Sequence, residues 1–116
     1  MDAKEEAFLA AEAASNKKAR NVAILDMTQV SSVADYFVIC SASNPIQARA
    51  IADAVEEKLG PVTGRGHREG YDLGRWVLLD YGQVVVHIFH EVERDYYNLE
   101  RLWGDAPALP VAFAEA

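Results

Sequence analysis

Over residues 3–15 apolar positions recur at three- and four-residue spacing, with Ala7, Phe8, Ala11 and Ala14 tracing one side and acidic residues near the start. That spacing predicts an amphipathic helix, and the early acids suit the positive end of its dipole. A basic cluster, Lys17, Lys18 and Arg20, leads into the short apolar segment Asn21 to Met27, a predicted strand with Val22 and Ile24 on one face. After the polar loop Thr28 to Ala34, the run Asp35 to Ala42 is almost unbroken apolar and aromatic. Such a run belongs in a sheet centre or under cover on both faces. Asn44 then offers an N-cap and Pro45 a first helical residue, and Ala48, Ile51, Val55 and Leu59 form one helix face. Gly60 and Pro61 predict where that helix stops.

Gly64, Gly66, Gly70 and Gly74 make residues 62–74 a loop with at most a short irregular strand. Next, Arg75 to Asp80 and Gln83 to His90 flank Tyr81-Gly82, the signature of an antiparallel hairpin with glycine at a positive φ. Glu91 to Leu102 reads as a last helix, ended by Gly104. Pro107 and Pro110 among small residues mark residues 107–116 as a loosely held tail. The order of elements predicts an α/β (α+β) fold, one domain over residues 1–106 with helices packed on a mixed β-sheet.

With 116 residues, 51% of them hydrophobic and 25% charged, the composition is that of an ordinary globular domain. The net charge of -7 disfavours a broad grip on nucleic-acid phosphates and favours a basic protein partner. The lone Cys40 has no internal partner, and no Cys or His pair stands at zinc-ligand spacing. Charges interrupt residues 1–16 and no run of about 18 apolar residues occurs, so the expectation is a soluble cytoplasmic chain with no membrane partner.

Chemistry is sparsely supported. A metal-dependent nucleotidyltransferase, the alternative reading, needs carboxylates close together on adjacent strands, and Asp26, Asp35 and Asp80, which fall at strand ends, are its candidates. No Asp-x-Asp pair occurs in a predicted strand, and the neighbouring strand offers Val85, His87 and Phe89 instead of acids. Ser31, Ser32 and Cys40 lie outside any nucleophile-elbow context. Gly64-Arg65-Gly66 does not open a helix after a strand, so it reads as a connector, not a phosphate loop. No cofactor, metal or small-molecule substrate is therefore expected.

Interaction surfaces are better supported. Period-two alternation puts Trp76, Leu78 and Asp80 on one hairpin face and Val77 and Leu79 on the other. A tryptophan and a leucine rimmed by Asp80, Glu69 and Arg75 have the makeup of a protein-binding hot spot; a sheet covered on both sides fits equally well. His87, in mid-strand between apolar neighbours, reads as a paired structural or interface residue. In the C-terminal segment Tyr96, Leu99 and Trp103 have core spacing, while Arg94 and Tyr97 fall elsewhere on the helix and are free for contacts.

The succession DYFVI (35–39), AVEEKLG (54–60), EG (69–70), WVLLDYG (76–82), VVVHIF (84–89) and RDYYNLERLWGDA (94–106) resembles the ribosomal silencing factor, or Iojap-like, family. The resemblance runs over about residues 3–106, and its pattern falls on Asp35, Tyr36, Phe37, Glu69, Gly70, Trp76, Leu78, Asp80, Gly82, His87, Arg94, Tyr97, Leu99, Glu100, Leu102 and Trp103. One departure is Gln83, where the family carries an acid after the hairpin glycine. The resemblance implies a non-enzymatic translation repressor with a nucleotidyltransferase-like fold lacking the catalytic carboxylates. It further implies binding to the large ribosomal subunit through that subunit's ribosomal protein fourteen, steric blocking of the small subunit under nutrient limitation, and in some members a homodimer. The expected partner-binding residues are Glu69, Trp76, Leu78, Asp80, His87, Arg94 and Tyr97. The basic loop 64–75 is a further candidate for contact with ribosomal RNA.

Overall fold

A computed structural model of the protein describes residues 1–64, 66–92 and 106–111. Helix α1 spans Ala3–Asn16. A capping box starts it, in which the Glu5 amide donates to Asp2 Oδ1 at 2.8 Å and the Asp2 amide donates back to Glu5 Oε1 at 3.3 Å. Its inner face is almost all alanine, with Ala7, Ala10, Ala11 and Ala14 fully buried. Small side chains let the helix axis approach its neighbours closely.

Helix α2 spans Pro45–Thr63, capped by Asn44 Oδ1, which accepts from the Gln47 amide at 2.8 Å. Ala48, Ile51, Ala52, Val55 and Leu59 are its buried face. The helix does not stop at Gly60-Pro61; Pro61 lies inside its last turns. Proline removes one amide donor and crowds the residue before it, but that residue is glycine, which has no Cβ to crowd. The turn beyond the proline is then held by Thr63 Oγ1 donating to the Leu59 carbonyl and by the Gly64 amide donating to the Gly60 carbonyl, both at 2.9 Å. Gly64, at φ 83°, is the true terminator.

Among the described residues six strands form one sheet: β1 (Arg20–Asp26), β2 (Tyr36–Ala42), β3 (His67–Glu69), β4 (Trp76–Asp80), β5 (Val84–His90) and β6 (Ala108–Leu109), in the order β3-β4-β5-β2-β1-β6. Only β2 and β5 run parallel, and they occupy the centre. Their central position accounts for the largely apolar character of both strands. The hairpin β4–β5 pairs in the register Trp76 with Phe89 and Leu78 with His87. Asn21, at φ 51°, lies within the bulge that breaks the β1–β2 register. Part of the segment read as a loosely held tail is attached: Ala108 and Leu109 pair with β1, and the Asp26 amide donates to the Pro107 carbonyl at 2.8 Å.

The sheet has two differently built faces. Val77, Leu79, Val84, Val86, Ile88, Val38 and Cys40 join the buried faces of α1 and α2 in one core. On the other side Leu25, Met27, Phe37, Ile39, Val85 and Phe89 form a second cluster, against which Trp76 and Leu78 pack while only half-buried. The second face is thus buried at its centre and accessible towards β4. Of the expected last helix, Glu91 and Val92 are helical and the remainder lies outside the described residues.

Candidate functional site

The accessible part of the second face is built by β3 and β4. Glu69 pairs with Leu78 across the β3–β4 ladder, and Gly70 follows at φ 75°. A Cβ on Gly70 would run into the carbonyl oxygen of Trp76, so only glycine allows this turn to close onto β4. Glu69, Gly70, Trp76 and Leu78 line a shallow groove of about 260 Å³ whose lining is mostly apolar. A larger depression, about 750 Å³, lies between α2 and β3, lined by Asp53, Glu56, Glu57, His67 and Arg68. The larger depression is polar and carries charge of both signs, so it offers little to an apolar anchor.

Trp76 is held from two directions. Its ring lies over Phe89, the cross-strand neighbour, with centroids 4.8 Å apart at 31°. Its indole Nε1–H donates to His87 Nδ1 at 3.2 Å. His87 meets the edge of Phe37 at 4.7 Å and 63°. The imidazole is only 4% exposed, and burial pulls its pKa down to about 4 against a weak opposing pull from Asp80. His87 is therefore neutral at physiological pH and too deep to touch a partner, which corrects its place among the contact residues. Its part in this face runs through Trp76.

The rim residues already have local partners. Glu69 Oε2 lies 3.0 Å from His67 Nε2 at the surface. Asp80 Oδ1 accepts from the Gly82 amide at 2.8 Å and so braces the hairpin turn, where Gly82 takes φ 87°. The loop read as a connector is tied down as well. Tyr71 Oη donates to both Asp53 oxygens at 2.9 and 3.0 Å, and that acceptor holds the phenol above its ordinary pKa. The Arg68 guanidinium lies 3.9 Å over the Tyr71 ring and 3.8 Å from Asp53, and Arg49 donates to the Asp72 carbonyl. Arg75 is exposed on the same segment. Arg94 and Tyr97 lie outside the described residues, as does Arg65.

Asp26, Asp35 and Asp80 share one end of the sheet without converging. Asp26 and Asp80 sit on strands three positions apart in the sheet order, about 14 Å at ordinary strand spacing. Asp26 Oδ1 accepts from the Thr28 amide at 3.0 Å and from its hydroxyl at 2.6 Å, and those bonds pull its pKa down. Among the described residues no group of three His, Cys, Asp or Glu could hold a metal ion, and no helix is long and apolar enough to cross a membrane. Gly70 and its approach to Trp76 are the part of the site that residue types did not reveal; the adjacent Glu-Gly step was its trace in the sequence.

The fold and this face define a mixed α/β domain that presents an aromatic sheet face and, among the described residues, no convergent set of acids. The family model described as ribosomal silencing factor during starvation matches residues 1–116. The chain is 45% identical over 114 residues to ribosomal silencing factor RsfS of Bacillus subtilis, covering 97% of both, and 48% identical over 103 residues to that of Halalkalibacterium halodurans, covering 87% of both. A crystal structure of a Chromobacterium violaceum protein superposes with a TM-score of 0.86 at 32% identity, covering 100% of this chain and 97% of that one. The chain belongs to the ribosomal silencing factor family, whose members are regulatory proteins of translation.

Proposed function

We propose that this protein binds the large ribosomal subunit through that subunit's ribosomal protein fourteen, and by occupying that surface blocks the small subunit from joining. The observation that carries the reading is the half-buried Trp76 beside the groove of Glu69, Gly70, Trp76 and Leu78, on a chain of net charge -7. An aromatic anchor beside a small apolar recess, rimmed by acids, suits a basic protein surface. Glu69 and Asp80 supply the acidic rim, and Arg75 is an exposed base on the 64–75 loop that could meet ribosomal RNA. No catalytic step is part of this function.

The test is co-sedimentation of the purified protein with separated large subunits, small subunits and joined ribosomes. Retention by large subunits alone, with joined particles depleted as protein is added, is the expected result. Retention by small subunits, or joined particles undiminished at saturation, overturns the proposal. Sedimentation of the protein by itself reports whether two copies bury the same face against each other, which would compete with subunit binding.

A further inference from the structure

We infer that His87 is a positioning residue: by accepting the indole N–H of Trp76 it selects one of two ring orientations and so shapes the groove against which the partner docks. The inference rests on the reading of that face given above. Stacking on Phe89 does not by itself choose an orientation, because an indole turned over about its χ2 axis still covers a phenyl ring. A hydrogen bond has direction, and the Nε1–H to Nδ1 bond at 3.2 Å is available in one orientation only.

Among the described residues the imidazole makes no other hydrogen bond. Because Nδ1 accepts, the neutral ring carries its proton on Nε2, and Nε2 is buried with no hydrogen-bond partner. Its ring neighbours among the described residues besides Trp76, Phe37 at 4.7 Å and Phe89 at 6.2 Å, are apolar. For stability alone such a site favours an apolar residue, since a buried donor without an acceptor is costly and an apolar replacement of similar shape is not. The Trp76 bond is what a histidine supplies here and a phenylalanine does not. Trp76 lines the groove together with Glu69, Gly70 and Leu78, so the side on which its six-membered ring falls sets the groove's depth.

The test uses the full chain, ¹⁵N-labelled, with purified large ribosomal subunits as the binding probe. The protein has two tryptophans, so two indole N–H signals appear, and Trp76→Phe assigns them. His87→Phe keeps the ring and deletes the acceptor; His87→Asn places an amide oxygen near the position of Nδ1. Expected results are a shifted Trp76 indole signal, at least tenfold faster indole exchange and about tenfold weaker subunit binding in His87→Phe, with His87→Asn within threefold of wild type in both. Trp76→Phe deletes the same bond from its other end, so the double variant His87→Phe/Trp76→Phe should bind no more weakly than Trp76→Phe alone.

Unchanged indole exchange and affinity in His87→Phe overturn the inference, as do additive losses in the double variant or a folded His87→Asn as impaired as His87→Phe. Failure of the docking reading looks different. Trp76→Ala would then bind large subunits as wild type does, while indole exchange still responded to His87; that result leaves the hydrogen bond standing and removes its role in binding.

Discussion

Val77 and Leu79 leave β4 towards the helices and are fully buried; Trp76 and Leu78 leave the same strand in the opposite direction and remain half-buried. On the helical side the sheet meets alanines at close range, and the cluster there is built almost wholly of small and branched aliphatic side chains. On the other side the packing is aromatic and includes a neutral histidine hydrogen-bonded to a tryptophan. One strand thus divides its work by parity: odd positions hold the fold together and even positions present a surface. A change on one parity should register in stability, and a change on the other in binding.

The largest effect expected is from Leu79→Ala. Emptying a fully buried leucine position in a close-packed core costs about 3 kcal/mol or more. Chemical denaturation should show a lower midpoint with an unchanged slope, while the folded fraction binds large subunits normally. A loss of affinity per folded molecule would show that the two faces are not independent.

Acidification approaches the other face through His87. An unfolded histidine takes its proton near pH 6.5, whereas the buried ring resists until about 4. Between those values the unfolded chain binds the extra proton, so this group's contribution is complete above about pH 6.5 and is lost as pH falls towards 4. The shift corresponds to about 3 kcal/mol at most. At pH 7 His87→Phe should be no less stable than wild type, and its margin over wild type should widen as pH falls from 7 to 4; parallel curves would mean that His87 does not titrate as its burial demands.

Trp76→Ala sharpens the contrast from the binding side. Truncating a central aromatic anchor commonly costs about 2 kcal/mol of binding, a factor of about thirty. Stability should fall less than in Leu79→Ala, since the indole is only half-buried. Equal losses in stability, with affinity unaltered, would make Trp76 an ordinary core residue.

Much of this division was legible in the residues. The Tyr81-Gly82 step and the alternation around it located the hairpin and the shared face of Trp76, Leu78 and Asp80. The almost unbroken run of β2 announced a sheet centre or cover on both faces. What local pattern did not carry was anything settled by distant chain. The two-residue strand β6 has no periodicity of its own and exists because β1 offers it an edge. The depth of His87 depends on Phe37, which reaches it through the parallel β2–β5 pairing. Pro61 reads locally as a stop because one missing amide weighs heavily there, yet a preceding glycine and the bonds to the Leu59 and Gly60 carbonyls absorb it. The groove depends on Gly70 meeting the Trp76 carbonyl six positions on, a closure that spacing alone does not announce.

The smallest effect expected lies where the two faces are joined, in the loop that carries β3. Tyr71→Phe deletes the hydroxyl that donates to both Asp53 oxygens and leaves the ring under Arg68 in place. These groups are partly exposed, so about 0.5–1 kcal/mol of stability should be lost. Because Gly70 and Glu69 immediately precede Tyr71, slackening this tether should loosen the groove without emptying it. Subunit affinity should then fall by about twofold to threefold, well short of Trp76→Ala. Hydrogen exchange should rise over residues 67–74 and stay unchanged in β2 and β5. A loss as large as that of Trp76→Ala would place the loop itself, and not the sheet face beneath it, at the centre of the contact.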